Sequence, residues 1–293
     1  MKKRIVFSLV VALSLLSNSF LYSETNAKAA GPVASPPNFM LTPTHEEAVN
    51  ALKLLMARVR AKIQMGKMDE SDFADIIKDY DSLLARFNKP DGDRVDILGD
   101  KGQVYLTLED SIKALPVFEE MKAIAPDLVI NGSTEEFLGG LKIKAEKQKV
   151  RDALIGKAPP EFNEKNLQGN NLSLSKYKGK VVLLDFWATW CPPCVASIPE
   201  IEKVYTKYHD KGFEVVGMSL DDEKEDLEKF IKQKKVPWPQ HLLANRFDNE
   251  LTTKYGVIYA PTTFLIGRDG KVIRQLMPWN DLEQAVSDAM KKD

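Results

Sequence analysis

Val181-Val182-Leu183-Leu184-Asp185-Phe186-Trp187-Ala188-Thr189-Trp190-Cys191-Pro192-Pro193-Cys194 is the stretch on which the reading of this chain turns. Its first six residues are apolar and β-prone, so they predict a buried strand. The residues after Cys194, Val195-Ala196-Ser197-Ile198-Pro199-Glu200-Ile201, read as a helix that starts within or just after the cysteine pair. A strand, a short loop carrying Cys-x-x-Cys and then a helix is the setting in which this spacing means redox chemistry. The helix N-terminus supplies the reason, because its unpaired N–H groups and positive dipole end favour a thiolate at the first cysteine. Three-residue spacing also lets both sulfurs meet over a single turn and close a disulfide.

Cys191 and Cys194 are the only cysteines in 293 residues. Disulfides that staple exported proteins come in patterned sets, and a loop this short constrains little of the unfolded chain. Half of a zinc site would need two more ligands. The three histidines, His45, His209 and His241, are scattered without ligand spacing. The redox reading therefore outweighs both bland ones.

Working outward, 41 basic and 42 acidic side chains leave a net charge of −1, which points to no nucleic-acid or acidic-membrane surface. Hydrophobic content of 44% suffices for a normal core, and the length suits about two domains. Residues 1–29 read as a signal peptide. Lys2-Lys3-Arg4 forms a basic start, residues 5–16 an apolar core, and Ala27-Lys28-Ala29 a small-x-small cleavage site. Ser17, Asn18 and Ser19 interrupt the apolar run short of the roughly 20 residues a bilayer span requires. Export to the periplasm is expected, with an uncleaved anchor as the competing reading. No cysteine lies near the cleavage site for lipid attachment.

Residues 30–43, rich in Pro and small side chains, predict a flexible lead-in. Residues 44–154 read as an all-α domain. Thr44 with Glu47 three positions on suggests a capping box. Ala48, Leu52, Leu55, Met56 and Val59 then recur at helical spacing, and residues 72–87 and 112–124 predict further amphipathic helices. Gly102, Tyr105, Ala114, Phe118 and Pro126 fall at the small, aromatic, small, aromatic and proline positions of a tetratricopeptide unit. An irregular helical bundle fits equally. Either way this half is expected to bind or self-associate, and it carries no catalytic groups. Residues 142–151 form a basic, helix-compatible run taken as the boundary. Residues 155–293 then alternate strand and helix: an entry hairpin, a second buried strand at 213–219, a charged helix over 221–235, a helix over 247–255, a hairpin joining 262–266 to 272–275, and a last helix from about 281.

The run from Leu184 to Cys194 closely resembles the thioredoxin superfamily, and within it the TlpA/ResA-like exported thiol–disulfide oxidoreductases. A distant second element agrees: Tyr255-Gly256-Val257-Ile258-Tyr259-Ala260-Pro261-Thr262-Thr263-Phe264-Leu265-Ile266 is similar to the family's cis-proline loop and the strand after it. The resemblance runs from about Ala158 to the C-terminus. It implies an α/β thioredoxin fold, a mixed sheet with helices on both faces and the branch's insertion over 221–235, preceded here by the helical domain.

The resemblance also implies roles. Cys191 would be the nucleophile and Cys194, one turn inside the helix and less accessible, the resolving thiol, the two forming the redox-active disulfide. Trp190, Ala260 and Pro261 would meet substrate, and Pro192 and Pro193 would pre-set the active-site loop. Asp185, a lone carboxylate in an apolar strand, is expected to have a raised pKa; it aligns with the aspartate that trades a proton with the second cysteine. A half-exposed Asp near the strand end is the competing reading, and core packing competes for Phe186 and Trp187.

One departure stands out. Many TlpA/ResA-like proteins carry glutamate three residues after the second cysteine, where this chain has Ser197. That favours broad thiol reduction over a specialised part in reducing apocytochrome c. The peroxidase pattern of a related class needs proline and threonine where Leu184 and Ala188 stand. No flavin or nicotinamide motif is present, so no cofactor is expected. Electrons would come from another dithiol protein, for instance a membrane reductant, and pass to protein disulfides. A disulfide-forming oxidase or isomerase, and a redox-sensitive scaffold whose helical domain binds partners, are the competing functions.

Overall fold

The computed structural model describes residues 42–276 and 281–291. The expected signal peptide and nearly all of the lead-in lie outside them. Contacts divide the chain into two compact units at Ala145/Glu146, inside a helix.

The first unit is helical: α1 (His45–Gln64), α2 (Glu70–Arg86), α3 (Gly92–Thr107), α4 (Ser111–Ile124) and the start of α5 (Thr134–Leu154). The capping box forms as expected. The Glu47 N–H donates to the Thr44 hydroxyl at 3.3 Å, and the Thr44 N–H donates to the Glu47 carboxylate at 2.9 Å. Ala48, Leu55 and Val59 turn inward against Phe73, Ile76 and Tyr80 of α2. The helix over 92–107 was legible only as part of the repeat pattern. It forms because Asp91 caps it, accepting from the Arg94 N–H at 3.2 Å. Together α3 and α4 bury Leu98, Tyr105, Ala114 and Phe118 in a second cluster.

The second unit holds the last turns of α5 and a thioredoxin fold. A small hairpin, β1 (Asn163–Lys165) and β2 (Asn171–Ser173), precedes a five-stranded mixed sheet. Its strands are β3 (Val181–Trp187), β4 (Phe213–Ser219), β5 (Gln240–Leu242), β6 (Thr262–Ile266) and β7 (Val272–Leu276), in the order β5-β4-β3-β6-β7. β3, β4 and β5 run parallel, while β6 and β7 are antiparallel additions. All seven residues of β3 and of β4 are buried, Asp185 and Glu214 included, because these largely apolar strands are covered on both faces. The helices are α6 (Pro192–Tyr208), α7 (Lys224–Lys234), α8 (Glu250–Lys254) and α9 (Leu282–Lys291). The charged segment after β4 forms α7, three residues later than its composition suggested. β5 escaped the sequence reading because three residues are too few for a period to register. No helix among the described residues is long and apolar enough to cross a membrane.

Candidate active site

Central strand β3 delivers the cysteine loop. Its register sets Asp185 opposite Gly217 of β4 and Thr263 of β6, and Phe186 opposite Thr262. Pro261 directly precedes Thr262, so the proline loop lies beside the end of β3 from which residues 188–191 depart. The Ala260–Pro261 peptide bond is cis.

Cys191 is the N-cap of α6, with Pro192 and Pro193 filling the first helical positions, where a missing N–H costs nothing. Its sulfur accepts the Cys194 backbone N–H at 3.3 Å. Cys191 and Cys194 are disulfide-bonded, their Cα atoms 5.3 Å apart. The expectation that Cys194 is the less accessible sulfur does not separate the two here, since both residues are only 2–3% exposed. What is exposed is Trp190, at 45%. Its indole packs edge-on against Phe247, with the Arg246 guanidinium 5.1 Å from the ring centre. Arg246 is in turn ion-paired through two nitrogens to Asp222.

Asp185 is 5% exposed, which rules out the half-exposed alternative. Burial alone pushes its carboxyl up to about 8, and Oδ1 has no hydrogen-bond partner among the described residues. Trp187 is core: buried, with its indole N–H donating to Gln240 Oε1 at 2.8 Å. Ser197 is buried too, its hydroxyl donating to the Cys194 carbonyl at 2.6 Å. Position 197, where the resemblance led glutamate to be compared with serine, thus holds a hydroxyl satisfied within the helix.

Asp221, read from the sequence only as the start of the charged helix, lies before that helix. It is buried just past β4 and accepts from the Thr189 N–H at 3.1 Å, the Thr189 hydroxyl at 2.6 Å and the Ser219 hydroxyl at 2.7 Å. A carboxylate two residues after a buried strand that ends in Ser was the available signal. Among the described residues, no three His, Cys, Asp or Glu side chains gather as a metal-binding group.

The AhpC/TSA family profile matches residues 155–275. Over 130 residues the chain is 38% identical to the thiol–disulfide oxidoreductase ResA of Bacillus thuringiensis subsp. konkukian, covering 44% of this chain and 73% of that protein. The chain belongs to the ResA family of thiol–disulfide oxidoreductases. The ResA of Geobacillus thermodenitrificans is 35% identical over 133 residues, covering 44% of this chain and 75% of its own length. A solved thioredoxin domain of a thiol–disulfide oxidoreductase from Bacteroides vulgatus, 32% identical, spans 47% of this chain and 98% of its own, with a TM-score of 0.44. As a ResA-family enzyme the protein carries out thiol–disulfide exchange, and the family implies protein substrates and redox partners in general. The Cys191–Cys194 pair is the one dithiol the chain has for it.

Proposed function

We propose that this protein is an exported reductase of protein disulfides. In the reduced enzyme the Cys191 thiolate attacks a substrate disulfide. One Cys191–substrate S–S bond forms as the substrate's own S–S bond breaks, and the first substrate thiolate leaves. Cys194 gives its proton to the Asp185 carboxylate and attacks Cys191 Sγ. That closes the Cys191–Cys194 disulfide and releases the second substrate thiolate. Two electrons have passed to the substrate, and its thiolates take up two protons. Trp190, Ala260 and Pro261 form the face that receives the substrate, while Pro192 and Pro193 hold the loop between the sulfurs.

The observation that carries this reading is Asp185: a buried carboxyl on the strand that feeds the cysteine loop, its Oδ1 without a hydrogen-bond partner among the described residues and its pKa near 8. A group poised close to neutrality can take a thiol proton and return it. Ser197 in place of a titratable neighbour supports broad thiol reduction over apocytochrome c reduction. A dithiol protein upstream, such as a membrane reductant, re-reduces the pair. Export rests on the basic-then-apolar start of the sequence, residues 1–29. The α3–α4 pair is read as a tetratricopeptide-like hairpin, supported by the closeness of Gly102 to the Phe118 ring, and as a partner-binding or self-associating element.

The reduction potential of the Cys191–Cys194 pair, measured by thiol trapping in graded dithiol buffers, tests the direction. A value near or below about −250 mV supports a reductase, and one of about −120 to −180 mV overturns it in favour of an oxidase or isomerase. Cys194→Ser should trap substrates or the donor as mixed disulfides on Cys191.

A further inference from the structure

We propose that Arg151, at the end of α5, is a positioning residue that holds the segment from Gly256 to Ala260 in the shape with which it meets substrate. This rests on the reading that Ala260 and Pro261 form part of the substrate face. Arg151 lies four residues before the stretch that matches the family profile, so this chain supplies it from outside the matched region.

Three contacts define the arrangement. One Arg151 Nη1–H donates to the Gly256 carbonyl at 2.6 Å. The guanidinium carbon sits 5.1 Å from the centre of the Tyr259 ring, the residue directly before the cis Ala260–Pro261 bond. The aliphatic stem packs on Gly256, which adopts φ +66°. A Cβ added there would come 2.3 Å from the Lys147 carbonyl oxygen and 2.9 Å from Arg151 Cγ, so only glycine permits the approach. One side chain thus grips both ends of the connection between α8 and β6.

The helix end is itself pinned. Ile155 pairs in parallel with Val272 of β7, the Gly156 N–H donates to the Val272 carbonyl at 2.8 Å, and the Val272 N–H donates to the Lys157 carbonyl at 2.9 Å. Tyr259 is fixed in turn, its carbonyl accepting the Thr262 hydroxyl at 2.8 Å and its own hydroxyl accepting from Gln275 Nε2 at 3.3 Å. Arg151 is 3% exposed, and its Nε has no acceptor among the described residues. A buried guanidinium with an unsatisfied N–H is expensive, and hydrophobic packing alone is met more cheaply by Leu or Met. The planar group does what those residues do not. It donates to one end of the loop and stacks on the ring at the other.

The test uses the full chain and two substrates: insulin, a folded protein disulfide, and a small aromatic disulfide that needs no peptide-binding face. Arg151→Met and Tyr259→Leu are each expected to raise KM for insulin about 10- to 100-fold, the scale of a misplaced binding surface. The kcat, the reduction potential and the rate with the small disulfide should stay at wild-type values. Arg151→Lys, which keeps the donor but not the planar stack, should fall between. An unchanged insulin KM in a folded variant overturns the proposal. So does a loss common to both substrates that tracks thermal stability, which would mark Arg151 as structural only. Should Arg151→Met fail to fold, the half-buried Tyr259→Leu gives the same readout. Ala260→Trp separates the proposal from the reading beneath it. If Ala260→Trp also leaves insulin KM unchanged, the loop is not a substrate face. If it raises KM while Arg151→Met and Tyr259→Leu do not, only the positioning role of Arg151 fails.

Discussion

Thr189 gives both its backbone N–H and its hydroxyl to the carboxylate of Asp221, at 3.1 and 2.6 Å. The two residues are 32 apart in sequence, and the contact ties the end of β4 to the loop two residues before Cys191. The same carboxylate accepts the Ser219 hydroxyl at 2.7 Å, and the Ser219 oxygen accepts the Asp221 N–H at 3.1 Å. Charge-assisted bonds made out of water are the stronger kind, and removing one partner leaves the others stranded. Asp221→Asn is expected to cost about 2–4 kcal/mol in urea unfolding. Thr189→Val should cost only about 1 kcal/mol, since the backbone N–H keeps its acceptor. Equal costs for the two would show that the charge and the second oxygen of Asp221 contribute no more than the Thr189 hydroxyl bond.

Asp185 ties stability to pH with a definite sign. Its carboxyl rises from 3.8 to about 8 on folding, because burial disfavours the charged form. Between those values the folded state holds a proton that the unfolded chain has lost, so the contribution to stability falls as pH rises through that window. Asp185→Asn cannot ionise. It should therefore be more stable than wild type at pH 8, by on the order of a few kcal/mol, and indistinguishable from it below pH 4. Burial shifts Asp96 and Asp100 of α3 in the same direction, to about 6 and about 7. The difference between wild type and variant is therefore the quantity to follow, by chemical denaturation from pH 4 to 9. A constant difference across that range would mean that Asp185 is ionised in the fold.

The reaction of Asp185→Asn reports on the proposed proton transfer. Closure of the Cys191–Cys194 disulfide should slow about 100-fold or more, as loss of a general base does, while mixed-disulfide formation on Cys191 keeps its rate. Rapid-quench trapping of the mixed disulfide distinguishes the two steps. If no intermediate accumulates, the carboxyl is not the base.

How far the sequence carried depended on the range of the forces involved. β3, β4 and β6 were legible because burial on both faces forces largely apolar, β-prone runs, and the cysteine pair because its spacing has few other uses. The neighbours of Asp185 suggested burial but left a half-exposed position open, and the fold decides between them. Asp221 was not legible, since its partner lies 32 residues away and no period links them. Arg151 sat in a run of basic residues that reads as a solvated face, and only the fold shows which of them is enclosed. The accessibility difference expected between the two cysteines rested on helix position, whereas the surrounding core buries both residues.

Gly217 tests how the sheet holds the core tryptophan. It pairs with Gln240 across β4 and β5, and the Gln240 side chain folds over the space a side chain at 217 would need. A Cβ there would come 1.9 Å from Gln240 Oε1, the atom that accepts the Trp187 indole N–H. Gly217→Ala should therefore displace Gln240 and strand that N–H, destabilising the protein by about 2–4 kcal/mol. Gln240→Ala in the same chain frees the space, so the double variant should be no less stable than Gln240→Ala alone.

Gly102 plays the matching part in the helical unit. A Cβ on it would approach the Phe118 ring to 2.7 Å, closer than any real contact, so α3 and α4 meet at the distance that a hydrogen at this position allows. Phe118 is held from its other side by Phe137 of α5, ring centres 4.9 Å apart, so it has little room to withdraw. Gly102→Ala gains about 1 kcal/mol of helix propensity and loses about 1–3 kcal/mol to overpacking, for a net destabilisation. Phe118→Leu removes the ring atoms that clash. If the clash is the cause, adding Gly102→Ala to Phe118→Leu should be neutral or stabilising by thermal denaturation, so that the sign of the glycine substitution reverses between the two backgrounds. The same sign in both would place the cost in the backbone of α3 rather than in its contact with α4.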